Sequence, residues 1–117
     1  IKNKIKLGFV SSTSLNNINS IFYCLRNSIK KNYFDFIGNS KLVKKNKPNP
    51  EIYLYALKKL RLKSQDCIAI EDSQESLDSA IGAKIKCIIF PGKFHVSKKF
   101  KGALKKIYKI DKKFILK

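Results

Sequence analysis

Cys67-Ile68-Ala69-Ile70-Glu71-Asp72-Ser73 decides the fold. Its apolar run fits a strand covered on both faces, as in a parallel sheet, and it stops abruptly at two adjacent carboxylates. Asp72 or Ser73 is placed to cap a following helix, in which Leu77, Ala80 and Ile81 face inward and Gly82 supplies the stop. Cys87-Ile88-Ile89-Phe90 then reads as another buried strand.

Upstream, Asn49 is a good N-cap, Pro50 fits the first helical position, and Glu51 favours the positive end of the helix dipole. Ile52, Tyr53, Ala56, Leu57 and Leu60 supply that helix's buried stripe. Phe34-Asp35-Phe36-Ile37 with Gly38-Asn39-Ser40 reads as a short strand and turn, and 41–47 as a polar loop crossing the sheet's end. Leu7 to Val10 is a strand running into Ser11-Ser12-Thr13-Ser14. The helix expected next, roughly Asn16 to Ser28, carries Ile18, Ile21, Phe22, Leu25 and Ile29 on one face.

This alternation of strands and helices predicts an α/β parallel sheet, whose ligand sites lie beyond the C-terminal strand ends. Ser11 and Glu71-Asp72 share that edge. After Pro91-Gly92, the spacing of Phe100, Leu104, Ile107 and Ile110 predicts a last basic amphipathic helix. The expected organisation is a core over 1–92 and a basic C-terminal segment over 93–117 packing on it as a helix.

The 117 residues suit one domain, and no stretch is long and apolar enough to span a membrane. A formal charge of +18 directs attention to nucleic acid, yet 44% hydrophobic content excludes a simple disordered basic tail. Lysine, isoleucine and asparagine supply 49 residues, a bias that AT-rich coding produces. The lysine pairs 44–45, 58–59, 98–99 and 112–113 are spread along the chain, as on a solvated surface rather than a binding stripe. Cys24, Cys67 and Cys87 lack C-x-x-C spacing and read as buried free thiols in a reducing, cytoplasmic compartment. No signal or transit segment is visible, and Ile1 in place of methionine raises the expectation of a fragment.

Three local features converge on the sheet's edge. At Ser11-Ser12-Thr13 a hydroxyl and the following N–H groups can donate to phosphate oxygens; a plain helix cap is the competing reading. Lys47, in Lys47-Pro48-Asn49-Pro50-Glu51, is held on a segment stiffened by two prolines, which suits neutralising a phosphoryl group. Glu71, Asp72, Glu75 and Asp78 are half of the chain's acidic residues. Adjacent carboxylates repel unless a cation offsets them, and Mg²⁺ is held by one or two carboxylates with water and phosphate. Acids favoured by the helix dipole are the alternative for this cluster, above all for Glu75 and Asp78.

Together the residues resemble the haloacid dehalogenase-like superfamily, specifically its β-phosphoglucomutase-like phosphatase branch, over roughly Ile5 to Phe90. Leu7-Gly8-Phe9-Val10-Ser11 is similar to the family's apolar strand ending in serine or threonine. Lys47 to Tyr53 is similar to its Lys-Pro-x-Pro-Asp/Glu-x-Tyr segment, and Ile68 to Ser73, with the turn at Ala80 to Ala83, to its acidic motif. The resemblance implies a Rossmann-like core. Ser11, helped by the Ser12 backbone, would hydrogen-bond the transferring phosphoryl group, Lys47 would neutralise it and orient the nucleophile, and Glu71 and Asp72 would hold Mg²⁺. The expected substrate is a small phosphorylated metabolite, in the first place a sugar phosphate.

One departure is plain. The family's Asp-x-Asp-Gly-Thr motif, which carries the nucleophile, is absent, and Asp35, Asp66 and Asp111 lack its context. The resemblance places the sheet's central strand and the substrate-selecting cap in that same missing segment. The expected core is therefore incomplete, with a gap that a missing N-terminal segment or a second chain would close. The chain is expected to be the C-terminal portion of a phosphatase or phosphomutase and inactive by itself. The rival expectations are a nucleic-acid-binding module using Lys98 to Lys117, and a catalytically silent relative that binds phosphate or Mg²⁺.

Overall fold

The computed structural model describes residues 5–90 and 100–106. Its first strand, β1 (Gly8–Val10), pairs in parallel with β2 (Phe36–Gly38), Gly8 opposite Phe36 and Val10 opposite Gly38. The N-terminal end of this pair is tied by Asp35, whose carboxylate accepts from Leu7 N at 2.8 Å while Asp35 N donates to Leu7 O at 2.7 Å.

Between them runs α1 (Leu15–Cys24), capped by Ser14 Oγ, which accepts from Asn17 N at 3.2 Å. Phe9 of β1 meets Phe22 of α1 at 5.3 Å between ring centroids, and both meet Phe34 at 5.7 Å, so three rings seat the helix on the strand. The helix is shorter than its apolar spacing predicts. Arg26 Nη1 donates to the Tyr23 carbonyl and Ser28 N to Leu25 O, turning the chain where Asn27 and Ser28 favour turns over helix. Only Ile18 and Phe22 of the expected stripe are buried; Ile21, Leu25 and Ile29 are exposed.

Helix α2 (Glu51–Leu60) begins one residue later than Asn49 as N-cap would place it, with Pro50 at the cap position and Asn49 Oδ1 accepting from Glu51 N at 3.0 Å. It closes on Arg61 in the left-handed region, φ 57°. The deciding stretch forms β3 (Ile68–Glu71), followed by α3 (Gln74–Gly82), capped by Ser73 rather than Asp72, and by β4 (Lys86–Ile89). Strands β3 and β4 are parallel, with Ala69 opposite Cys87.

Two expectations here are corrected. Strand β3 is covered on one face only: Ala69 is buried, whereas Ile68 and Ile70 are 59% and 42% exposed. Helix α3 does end at Gly82, but the left-handed residue that turns the chain is Lys84, φ 62°, rather than the glycine, and Ile81 faces out. Gly82 serves packing instead: a Cβ there would lie 3.0 Å from Pro50 Cβ.

Over 100–106 the chain makes a turn and a short strand, β5 (Lys105–Lys106), parallel to β4, instead of the start of the predicted basic helix. Leu104 N donates to Cys87 O at 2.8 Å, so pairing along β4 overrides the helical spacing of Phe100 and Leu104. The 92/93 division, Ile107, Ile110 and the rest of the Lys98 to Lys117 segment lie outside the described residues.

The strands thus form two parallel sheets, β1-β2 and β3-β4-β5, and among the described residues no strand pairing joins them. This is the incomplete Rossmann-like core that the missing central strand predicts. Helix α2 lies on the first sheet, α3 on the second, and the two helices pack on each other. Ile52, Tyr53, Leu77, Ala80, Cys87 and Ile89 form the core at that junction, and each fully buried aliphatic side chain there contributes about 1.5–3 kcal/mol. Among the described residues no helix is long and apolar enough to cross a membrane.

Candidate functional site

The C-terminal ends of β1 and β3 face one site, and Lys47 spans it. Its Nζ donates to Glu71 Oε2 at 2.7 Å and approaches the Val10 carbonyl at 3.4 Å. The side chains of Lys47 and Glu71 are only 6% and 10% exposed. Two charges this buried lose most of their hydration, so close pairing with further hydrogen bonds is required to hold them. The further bond comes from Tyr53, whose hydroxyl donates to the same Oε2. The Lys47 ammonium also lies 5.4 Å from the centre of the Tyr53 ring, within cation–π range.

The loop bearing Lys47 is fastened along its length. Asn49 N donates to Asn46 O at 3.0 Å, Lys44 N to Glu51 Oε2 at 2.8 Å, and the buried Ser79 hydroxyl of α3 to Asn49 O at 2.7 Å. Helix α3 therefore grips the lysine's loop while its own N-terminus follows directly on Glu71 and Asp72.

Ser11 follows Val10 at the end of β1. Its N–H donates to Gly38 O at 3.0 Å and its Oγ accepts from Thr13 N at 3.1 Å, leaving the hydroxyl proton available to an incoming oxygen. The helix cap is Ser14, so the competing cap reading falls on another residue. Ser12 and Asp72 are exposed. Glu75 is exposed on α3, and Asp78 accepts from Gln74 Nε2 at 2.8 Å, as befits surface helix acids.

Among the described residues no group of three or more histidine, cysteine, aspartate or glutamate side chains gathers as a metal site. Glu71 and Asp72 supply hard carboxylate oxygens in adjacent positions. That donor type fits Mg²⁺, which completes its shell with water and phosphate. The other aspartates sit elsewhere: Asp35 is bound at the N-terminal end of β1, Asp66 precedes β3, and Asp78 is on the surface of α3. Asp111 lies outside the described residues.

Burial, and then the Glu71 charge and hydrogen bond, push the Tyr53 hydroxyl well above the ordinary tyrosine range, so it acts as a neutral donor. Burial, with the Glu71 charge, pushes the Cys87 thiol up to about 12. Tyr53 is the site residue that sequence reasoning missed. Sequence reasoning places it in an apolar stripe and at the end of the Lys47 to Tyr53 segment, without giving its hydroxyl a part in the site.

The sequence model of the haloacid dehalogenase-like hydrolases matches residues 1–90. Protein CbbY of Cereibacter sphaeroides is 33% identical over 99 residues, covering 85% of this chain and 43% of the relative. A phosphorylated carbohydrates phosphatase of Thermotoga maritima is 34% identical over 85 residues, covering 73% of this chain and 38% of the relative. The chain thus spans less than half the length of these curated relatives. The crystal structure of CbbY from Rhodobacter sphaeroides in complex with phosphate superposes with a TM-score of 0.81 at 32% identity, over 88% of this chain and 46% of that one. A β-phosphoglucomutase from Clostridium difficile superposes with a TM-score of 0.75 at 31% identity, over 97% and 48%. With strands, helices and sequence all agreeing, the chain belongs to the haloacid dehalogenase-like hydrolases.

Proposed function

We propose that this chain is the phosphate-handling C-terminal portion of a Mg²⁺-dependent phosphatase or phosphomutase acting on a small sugar phosphate, and that it does not turn over substrate alone. The observation that carries this reading is the buried Lys47 ammonium, held between the ends of two unpaired half-sheets by Glu71 and the Val10 carbonyl. The printed descriptions of relatives support the substrate class: a phosphorylated carbohydrates phosphatase and a β-phosphoglucomutase.

In this mechanism the Lys47 ammonium offsets charge on the phosphoryl oxygens, a preorganised contribution of the kind that dominates such reactions. The Ser11 hydroxyl and the Ser12 backbone N–H donate to those oxygens. Glu71 and Asp72 would hold Mg²⁺, which when bound supplies charge neutralisation at the phosphoryl group. Among the described residues the aspartates at 35, 66 and 78 stand away from Lys47, and in this reading the attacking carboxylate and the strand that fills the gap come from an N-terminal segment or a second polypeptide. The complete enzyme then works through an aspartyl-phosphate that water hydrolyses. A reducing, cytoplasmic setting suits its three free cysteines.

Hydrolysis of p-nitrophenyl phosphate with Mg²⁺ tests this, using the chain alone and the chain supplemented with a segment carrying the aspartate motif. The expected result is no turnover alone and turnover on supplementation, reduced at least about 100-fold by Lys47→Ala. Robust turnover by the 117 residues alone would overturn the account of the missing nucleophile.

A further inference from the structure

The Lys47–Glu71 pair is shared by a third side chain that touches both members. Tyr53 is 7% exposed, its ring sits in the core against which α2 and α3 pack, and its hydroxyl donates to Glu71 Oε2. Its ring face meets the Lys47 ammonium at 5.4 Å. A buried tyrosine hydroxyl needs an acceptor, and here that need is met by the one oxygen that also binds the lysine. Oε2 therefore receives two donors, while Oε1 receives none among the described residues.

We infer that Tyr53 is a positioning residue: by committing Glu71 Oε2 to Lys47, it fixes where the ammonium stands and leaves Oε1 as the oxygen free for another ligand. The physical basis is rotational. A carboxylate held by one mobile lysine can turn about its last bond, whereas one held also by a hydroxyl anchored in the core cannot. The ring adds a second restraint, since an ammonium leaving Glu71 also loses the aromatic face. The consequence for catalysis rests on the proposed function; the positioning itself does not.

The test uses the full chain labelled with ¹⁵N-lysine. In the wild type the Lys47 ammonium should give a resolved, slowly exchanging NMR signal, identified by its loss in Lys47→Arg, because the group is 6% exposed and ion-paired. Tyr53→Phe keeps the ring and removes the hydroxyl. It should accelerate ammonium exchange at Lys47 by about tenfold or more, the scale of a lost hydrogen bond to a charged group. Tyr55→Phe, on the same helix, should leave the Lys47 signal unchanged.

An unchanged Lys47 signal in a folded Tyr53→Phe protein overturns the inference. Should that variant not fold, the wild type decides alone: a protected Tyr53 hydroxyl proton with a cross-peak to the Lys47 ammonium supports it, and a rapidly exchanging one overturns it. Titration with inorganic phosphate and Mg²⁺ separates the two readings. A Lys47 signal that responds to phosphate in the wild type, with about tenfold weaker response in Tyr53→Phe, supports both. A wild-type signal indifferent to phosphate, with faster exchange in Tyr53→Phe, supports the positioning role and overturns the proposed phosphate chemistry.

Discussion

Cys87 lies across from Ala69 on the strand next to Glu71, 1% exposed, and its thiol is pushed up to about 12 by burial and by the glutamate's charge. At pH 8 a thiol reagent should therefore modify exposed Cys24 first, half-buried Cys67 more slowly, and Cys87 only when the chain unfolds. The same shift links stability to pH. The folded thiol holds its proton more tightly than the unfolded one at 9.0, so its contribution is complete below pH 9 and is lost as pH rises toward 12. Stability read from thermal melts should fall progressively above pH 9, the Cys87 share by at most about 1.4 kcal/mol per pH unit, and less steeply in Cys87→Ala. At this scale sequence reading was uneven. Glu71 and Lys47 announce themselves through local context, an acid after an apolar run and a lysine before two prolines. Tyr53 closes the segment that Lys47 opens, but its part in the site stays hidden, because nothing local shows that its hydroxyl is aimed at a partner 18 positions away.

At the scale of elements, α3 is the fastener of the site. Its Ser79 hydroxyl satisfies Asn49 O at 2.7 Å, and Gly82 lets Pro50 lie against the helix. Ser79→Ala leaves a carbonyl unsatisfied and should cost about 1–3 kcal/mol in urea unfolding. Gly82→Ala gains about 1 kcal/mol of helix propensity but forces a methyl into the stiff Pro50 ring, at about 1–3 kcal/mol. The expected net is a loss, and a stabilised Gly82→Ala protein would contradict the packing role. The three helices and first four strands were legible because their apolar periods are local. The end of α1 and the strand at Lys105–Lys106 were not. The first is set by hydrogen bonds in the 25–28 turns and the second by pairing with β4, neither of which periodicity reports.

At the scale of the molecule, the facing edges of β1 and β3 carry unpaired backbone groups among the described residues, an arrangement that invites pairing with other chains. Sedimentation should show association that grows with protein concentration. The +18 charge opposes it at low salt, so it should strengthen as salt screens that repulsion and weaken when a complementing strand is supplied. The gap itself was readable from the family resemblance. That two packed helices keep the halves together without a shared strand was not, because it depends on how α2 and α3 meet. That helical bracket has a practical consequence. If the nucleophile does arrive on a separate strand, the slot is a receptacle already assembled, and tethering its missing piece to a second protein would turn the pair into a proximity reporter whose output is released phosphate.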